Sequence, residues 1–431
     1  LNILKKILKH EVFPALGCTE PIAISYAAST ASSYTSAELK NIKITVDPGV
    51  YKNGFAVTIP NTNGEKGNLI AGVMGALIKK PELKMEILKK STPEIIAQAK
   101  KIIEQKKASL CLDNSKAKLF IKIELISTKN EIVEVIIQDE HTNITQIKVN
   151  NQIILKQEEK TQSHDYSYKE KLKELSIANF IDIIENEIDD QDYKYILKGV
   201  DLNLEAAKQG EKLKKVGYYL KDLLHKGFIS NDIFATIKIA TASATDARMS
   251  GLNCPVMSSG GSGNQGIVAI LVPYLVGKYF KIQEAKIVKS IALSHLINSY
   301  IKCYTGNLSS LCGCAIAAGV GAAVAIVYQQ AGKDMDKIYL AINNLISDLG
   351  GMLCDGAKNG CAFKVASSAD SSLRAAYMAL NNNGITYSDG FVGLTGEDTI
   401  KNLSKIIDFG MEKANEVMLE IMTNKTQSPC L

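Results

Sequence analysis

Between Cys303 and Gly332 the chain carries no charged residue, and Leu311–Tyr328 within it is apolar and long enough to pass for a membrane span. The same stretch is crowded with glycine, alanine and cysteine. A helix that is apolar on every face and small on every face packs closely against neighbours all round it. We therefore read it as the central helix of a large helical domain, not as a lipid-facing anchor, and expect no membrane contact.

The surroundings agree with that reading. From about residue 172 nearly everything has helical periodicity, over roughly 172–186, 191–226, 231–248, 264–280, 284–302, 311–331, 335–349, 370–381 and 399–424. The earlier part is mixed. A helix begins at Thr19–Glu20–Pro21, strand-like Ile42–Val46 and Phe55–Ile59 flank a turn rich in Pro, Gly and Asn, and Gly67–Ile78 returns to helical spacing. Alternating β-branched residues between Leu119 and Leu155 predict several more strands, and the polar stretch 156–168 reads as a linker. The expected class is α+β: a small N-terminal α+β domain over 1–170, then a large all-α domain over 171–431.

With 431 residues, 46% hydrophobic and 22% charged, the chain has the composition of an ordinary globular protein. A net charge of +5 spread over scattered lysines excludes nucleic acid as the expected partner. Of the 50 basic residues only Arg248 and Arg374 are arginines, which singles them out. The opening Leu1–Lys9 is broken by lysines and has no apolar signal core, so a cytoplasmic location is expected. Oligomeric state stays open, a homo-oligomer being one option. The nine cysteines are odd in number and lack an export context, which makes a disulfide framework a poor explanation. Metal binding, catalysis and packing remain.

Four of those thiols fall together in the helical half. Cys312 and Cys314 sit at the start of the apolar helix, and Cys354 and Cys361 lie in a glycine-rich loop able to bend around a cluster. Thiolates with few charges nearby suit iron–sulfur chemistry, and three of them would leave one iron open as a Lewis acid. Buried free thiols serving only as small hydrophobes fit the spacing equally well, and zinc fits less, since tight CxxC pairs are missing. Cys18 stands at the start of a helix, where unpaired N–H groups would lower its pKa and make it a base or nucleophile; alternatively Thr19 is a plain N-cap and Cys18 a bystander. The loop Ser258–Gly266 precedes another helix and lacks the ending of a P-loop, so it suits a small carboxylate better than a nucleotide. Arg248, upstream of it, has the fork that grips a carboxylate, or else forms an ion pair with Asp246. Thr19, Glu20, Arg248, Ser258, Ser259, Gly260, Gly261 and Asn264 are the candidate contacts to a small amino-acid substrate. His295 reads as a core histidine.

Assembled in order, the motifs EVFPALGCTEPIAISYAA, DPGVYKNGFAVTIPNTNGEKG, MSGLNCPVMSSGGSGNQG, CYTGNLSSLCGCAIAAGVGAA and DLGGMLCDGAKNGCAFKVASSADSS make the chain closely resemble the L-cysteine desulfidase family, related to the iron–sulfur L-serine dehydratases. The resemblance implies a lyase that takes L-cysteine to hydrogen sulfide, ammonia and pyruvate without pyridoxal phosphate. It implies a [4Fe–4S] cluster on Cys312, Cys354 and Cys361 with the fourth iron open to substrate, and Cys18 as proton acceptor. The penultimate Cys430 would be a resting-state fourth ligand. The lysine-rich stretch 100–215 matches the family least, and no functional residue is taken from it. Serine dehydratase, an iron–sulfur sensor and a metal-free helical protein are the competing expectations.

Overall fold

The computed structural model describes residues 2–62, 64–116, 118–157, 167–306 and 309–425. Helix α1 (Ile3–His10) and the two-residue strand β1 (Pro14–Ala15) lead into α2 (Thr19–Ser33), β2 (Leu39–Val46), α3 (Pro48–Gly54), α4 (Asn68–Ile78) and α5 (Pro93–Glu104). Strands β3 (Ala108–Leu112), β4 (Phe120–Ser127), β5 (Ile132–Gln138), β6 (Ile144–Val149) and β7 (Gln152–Lys156) then join β2 in one sheet of order β3-β2-β4-β5-β6-β7. Only β2 and β3 run parallel. Alternation does the sorting: Ile121, Ile123 and Leu125 of β4 point inward with Ile42, Ile44 and Val46 of β2, and α2 covers that face with α4 packed beside it.

The rest is helical: α6 (Ser167–Glu174), α7 (Ile177–Asn186), α8 (Asp190–Gly210), α9 (Val216–His225), α10 (Ile233–Met249), then the short strand β8 (Val256–Met257), α11 (Gly263–Tyr279), α12 (Glu284–Thr305), α13 (Ala317–Ala331), α14 (Met335–Leu349), α15 (Cys361–Leu380), α16 (Gly396–Lys405) and α17 (Glu412–Lys425). The α+β class expected from the sequence is what the fold shows. Helix α13, the uncharged segment, is enclosed by α11, α12, α14 and α15. Among the described residues no helix is long and apolar enough to cross a membrane.

Two hydrophobic cores result. The larger joins α6–α8 and α10–α16 but also takes Ile3, Leu4, Ile7 and Leu8 of α1. The smaller lies between the sheet and α2 and α4, and takes Leu419 and Met422 of α17. Each core thus uses a helix from the other end of the chain. A two-stranded ribbon ties the halves again, pairing Pro14 with Met257 and Ala15 with Val256. This ribbon brings together the segments that lead into α2 and α11.

Several local expectations change. The turn expected after Asp47 is helix α3, because the Asp47 carboxylate accepts from the N–H groups of Gly49 (2.7 Å) and Val50 (3.1 Å) and Pro48 supplies a preformed first turn. Phe55–Ile59 is consequently no strand and makes only a single bridge, Thr58 to Lys66. The apolar helix starts at Ala317, not 311, since Leu311 bridges to Leu353 instead. Helix α15 starts at Cys361, nine residues before the expected 370, so Cys361 belongs to a helix and not to the loop.

Candidate active site

A cleft of about 3270 Å³ opens between the sheet-bearing part and the helical part, far larger than one small amino acid needs. From the sheet side the first turn of α2 enters it. Cys18, only 6% exposed, is the N-cap of α2, and Thr19 is the first helical residue, not the cap. The Cys18 thiol donates to Glu20 Oε2 at 2.7 Å, Thr19 Oγ1 donates to the same oxygen at 3.2 Å, and Asn53 Nδ2 donates to Glu20 Oε1 at 2.9 Å. Asn53 is delivered by α3, the helix that the sequence disguised as a turn.

The electrostatics of this group reverse one expectation. Burial, and then the Glu20 carboxylate, push the Cys18 thiol well above its usual pKa, and the Arg248 charge only partly opposes them. The helix start does not produce a resting thiolate. Burial also pushes the Glu20 carboxyl up, but the charge of His141 and the hydrogen bonds from Cys18 and Asn53 outweigh it and leave Glu20 lowered. The resting pair is therefore a thiol donating to a carboxylate.

From the helical side Arg248 arrives in the last turn of α10, 6% exposed. Its Nη1 donates to Asn264 Oδ1 at 3.0 Å, its Nε has no partner, and it forms no ion pair with a carboxylate among the described residues. The pairing with Asp246 is not made: Asp246 Oδ2 accepts from the Gly217 N–H at 2.8 Å, and burial raises this carboxyl to about 6. Gly263 leaves the room that Arg248 occupies, since a Cβ there would stand 2.4 Å from Nε. A buried guanidinium without an anion is a costly arrangement unless a ligand supplies one.

The segment formed by the loop between β8 and α11 and the first turn of that helix divides in two. Gly260, Gly261, Asn264 and Gln265 line the cleft. Ser258 and Ser259 lie behind it, fully buried, with their hydroxyls already engaged. Ser258 Oγ accepts from the Phe13 N–H at 2.8 Å and donates to Glu11 O at 3.0 Å. Ser259 Oγ accepts from Asn298 Nδ2 at 2.9 Å and lies 2.8 Å from His295 Nδ1. These two serines hold the loop's shape; they do not reach the cleft wall. His295 is a core histidine, its pKa pushed down to about 3 by burial.

The thiols of Cys312, Cys354 and Cys361 line the same cleft. Cys312 N–H donates to Met352 O at 2.8 Å and Cys354 N–H to Ser310 O at 2.7 Å, so the two cysteine segments run side by side. Cys361, at the start of α15, packs with Cys18, Val57 and Met249 in one small apolar cluster. Cys314 donates its thiol proton to Cys312, which pulls the Cys312 pKa down and pushes that of Cys314 up. Cys430 lies outside the described residues.

Lys52, Asn53, His141 and Gln265 also line the cleft, and the sequence reading passed them over. Lys52 and Asn53 lie within DPGVYKNGFAVTIPNTNGEKG and Gln265 within MSGLNCPVMSSGGSGNQG, which is a signal. His141 comes from the β5–β6 turn, in the stretch set aside, and its buried Nε2 has no partner among the described residues. Gln265 Oε1 is likewise buried and unpartnered.

A family model for the serine dehydratase alpha chain matches residues 82–420. Over 426 residues the chain is 52% identical to a UPF0597 protein of Geobacter sulfurreducens, covering 99% of both chains. A UPF0597 protein of Elusimicrobium minutum is 51% identical over 99% of this chain and 100% of its own. One from Clostridium tetani is 40% identical over 98% and 99%. No solved structure matches. The family model takes in Arg248 and the clustered thiols, whereas Cys18, Glu20 and Lys52 fall within the full-length matches only.

Proposed function

We propose, on the premise that this chain belongs to the serine dehydratase alpha-chain family, that it is a cytoplasmic lyase eliminating the β-substituent of L-cysteine to give sulfide, ammonia and pyruvate. The observation that carries this reading is the placement of the Cys18–Glu20 pair in the same cleft as the unpaired Arg248 and the thiols of Cys312, Cys354 and Cys361.

Those three thiols would hold a [4Fe–4S] cluster. The donor set, three thiols lining one cleft, has the chemistry of iron–sulfur ligation. When bound, the cluster would supply a Lewis acid for the β-leaving group.

The remaining work falls to the chain. Arg248 holds the substrate carboxylate through the N–H groups left free of protein partners. Cys18 gives its proton to Glu20, which is already ionised and hydrogen-bonded to it, and the thiolate so formed removes the α-proton. Burial keeps water from competing at that step. The aminoacrylate left after sulfide departs tautomerises to an imine and hydrolyses to pyruvate and ammonia.

L-Serine is the second substrate to test, favoured by the description of the family. Anaerobic purification with iron and acid-labile sulfide counts, followed by product release from L-cysteine and L-serine in parallel, decides. Four irons with sulfide and pyruvate from cysteine support the proposal; preference for serine makes the protein a dehydratase; an iron-free chain that releases neither product sinks it.

A further inference from the structure

Lys52 is a lysine in the wrong kind of place. It is 2% exposed, on α3, and its ammonium donates to Asn415 Oδ1 at 2.9 Å and to Ser309 O at 3.3 Å, both neutral. It has no carboxylate partner among the described residues, whereas the nearby Lys364 and Lys358 share Asp355. Burying an ammonium against neutral acceptors alone is costly.

What surrounds it is the cysteine wall. Ser309 is followed by Ser310, whose carbonyl accepts from the Cys354 N–H. Gly356, two residues beyond Cys354, has φ +93 and lies so close that a Cβ would stand 2.1 Å from Lys52 O. The ammonium thus comes from the sheet side, yet it is packed against the backbone that presents Cys312 and Cys354.

We propose that Lys52 is a positioning residue for the thiolate set, its ammonium serving as the buried counter-charge for Cys312, Cys354 and Cys361 once they are deprotonated and loaded with metal. The inference rests on the reading above and adds a residue to it. Three thiolates outweigh the positive core of a [4Fe–4S] cluster, so the loaded site carries net negative charge in a low-dielectric wall. The same cation stabilises the reduced state of a cluster more than the oxidised one.

The test compares wild type, Lys52→Met, Lys52→Gln and Lys52→Arg as full chains reconstituted anaerobically with iron and sulfide. Iron release to a chelator and the cluster's reduction midpoint potential are the readouts. Met and Gln should release iron about 10- to 100-fold faster and shift the midpoint to more negative potential, with Arg restoring both towards wild type. The glutamine variant keeps the comparison open should the methionine variant not fold. Unchanged release and midpoint in the neutral variants overturn the role of Lys52 while leaving the proposed function standing. A wild-type chain that takes up no iron overturns both.

Discussion

Arg248 and Glu20 bring opposite charges into one cleft without pairing with each other, and each is held by neutral partners instead. This separation makes their roles distinguishable. Glu20→Gln removes the acceptor of the Cys18 proton, so kcat should fall about 10²-fold or more with KM little changed. Arg248→Lys loses the fork and should raise KM, and a wild-type KM would refute carboxylate binding. Asp246 tests burial itself. Its folded pKa, about 6, lies above the ordinary 3.8, so its stabilising contribution is complete below 3.8 and is lost as pH rises through 6. Above that pH the buried carboxylate costs on the order of 3 kcal/mol. Asp246→Asn should therefore melt higher than wild type at pH 8, the gap closing as the pH is lowered; equal melting temperatures at pH 8 would contradict this. At this scale the sequence was a partial guide. Rarity marked Arg248 and spacing marked the thiols, but nothing in the sequence shows that Ser258 and Ser259 spend their hydroxyls on Glu11, Phe13, Asn298 and His295, because those partners are distant in the chain.

At the scale of elements, the site depends on α3 lying against the loop between Cys354 and Cys361. Gly356→Val forces a β-branched side chain into left-handed backbone and into Lys52 O, so the loop must move off α3. The expected result is near-normal helical circular dichroism with a large loss of bound iron and about 1–3 kcal/mol of stability. Full iron retention would show that the two elements are not coupled. Helix α3 was hard to read because Pro, Gly and Asn mark turns equally well, and the deciding contact includes Asp47 Oδ2 accepting from the distant Phe120 N–H at 2.8 Å. The long helices were legible from the length of their apolar runs between glycine-rich breaks. Their ends were not: Cys361 begins α15 amid glycines that read as loop.

For the whole molecule, the informative feature is the exchange of helices, α1 to the larger core and α17 to the smaller. Leu419→Ala with Met422→Ala should destabilise the smaller core by about 2–5 kcal/mol per site at most, seen as a lowered or separated first melting transition with the larger core unaffected. A single unshifted transition would mean that α17 contributes little. The same exchange bears on how the protein is made. Residues up to about 157 leave the ribosome first, yet the smaller core they form lacks Leu419 and Met422, and Lys52 lacks Asn415, until α17 has been synthesised. The cleft is therefore finished last: Lys52 and the three cysteines are all synthesised before Asn415, the residue that fixes the ammonium in place beside them.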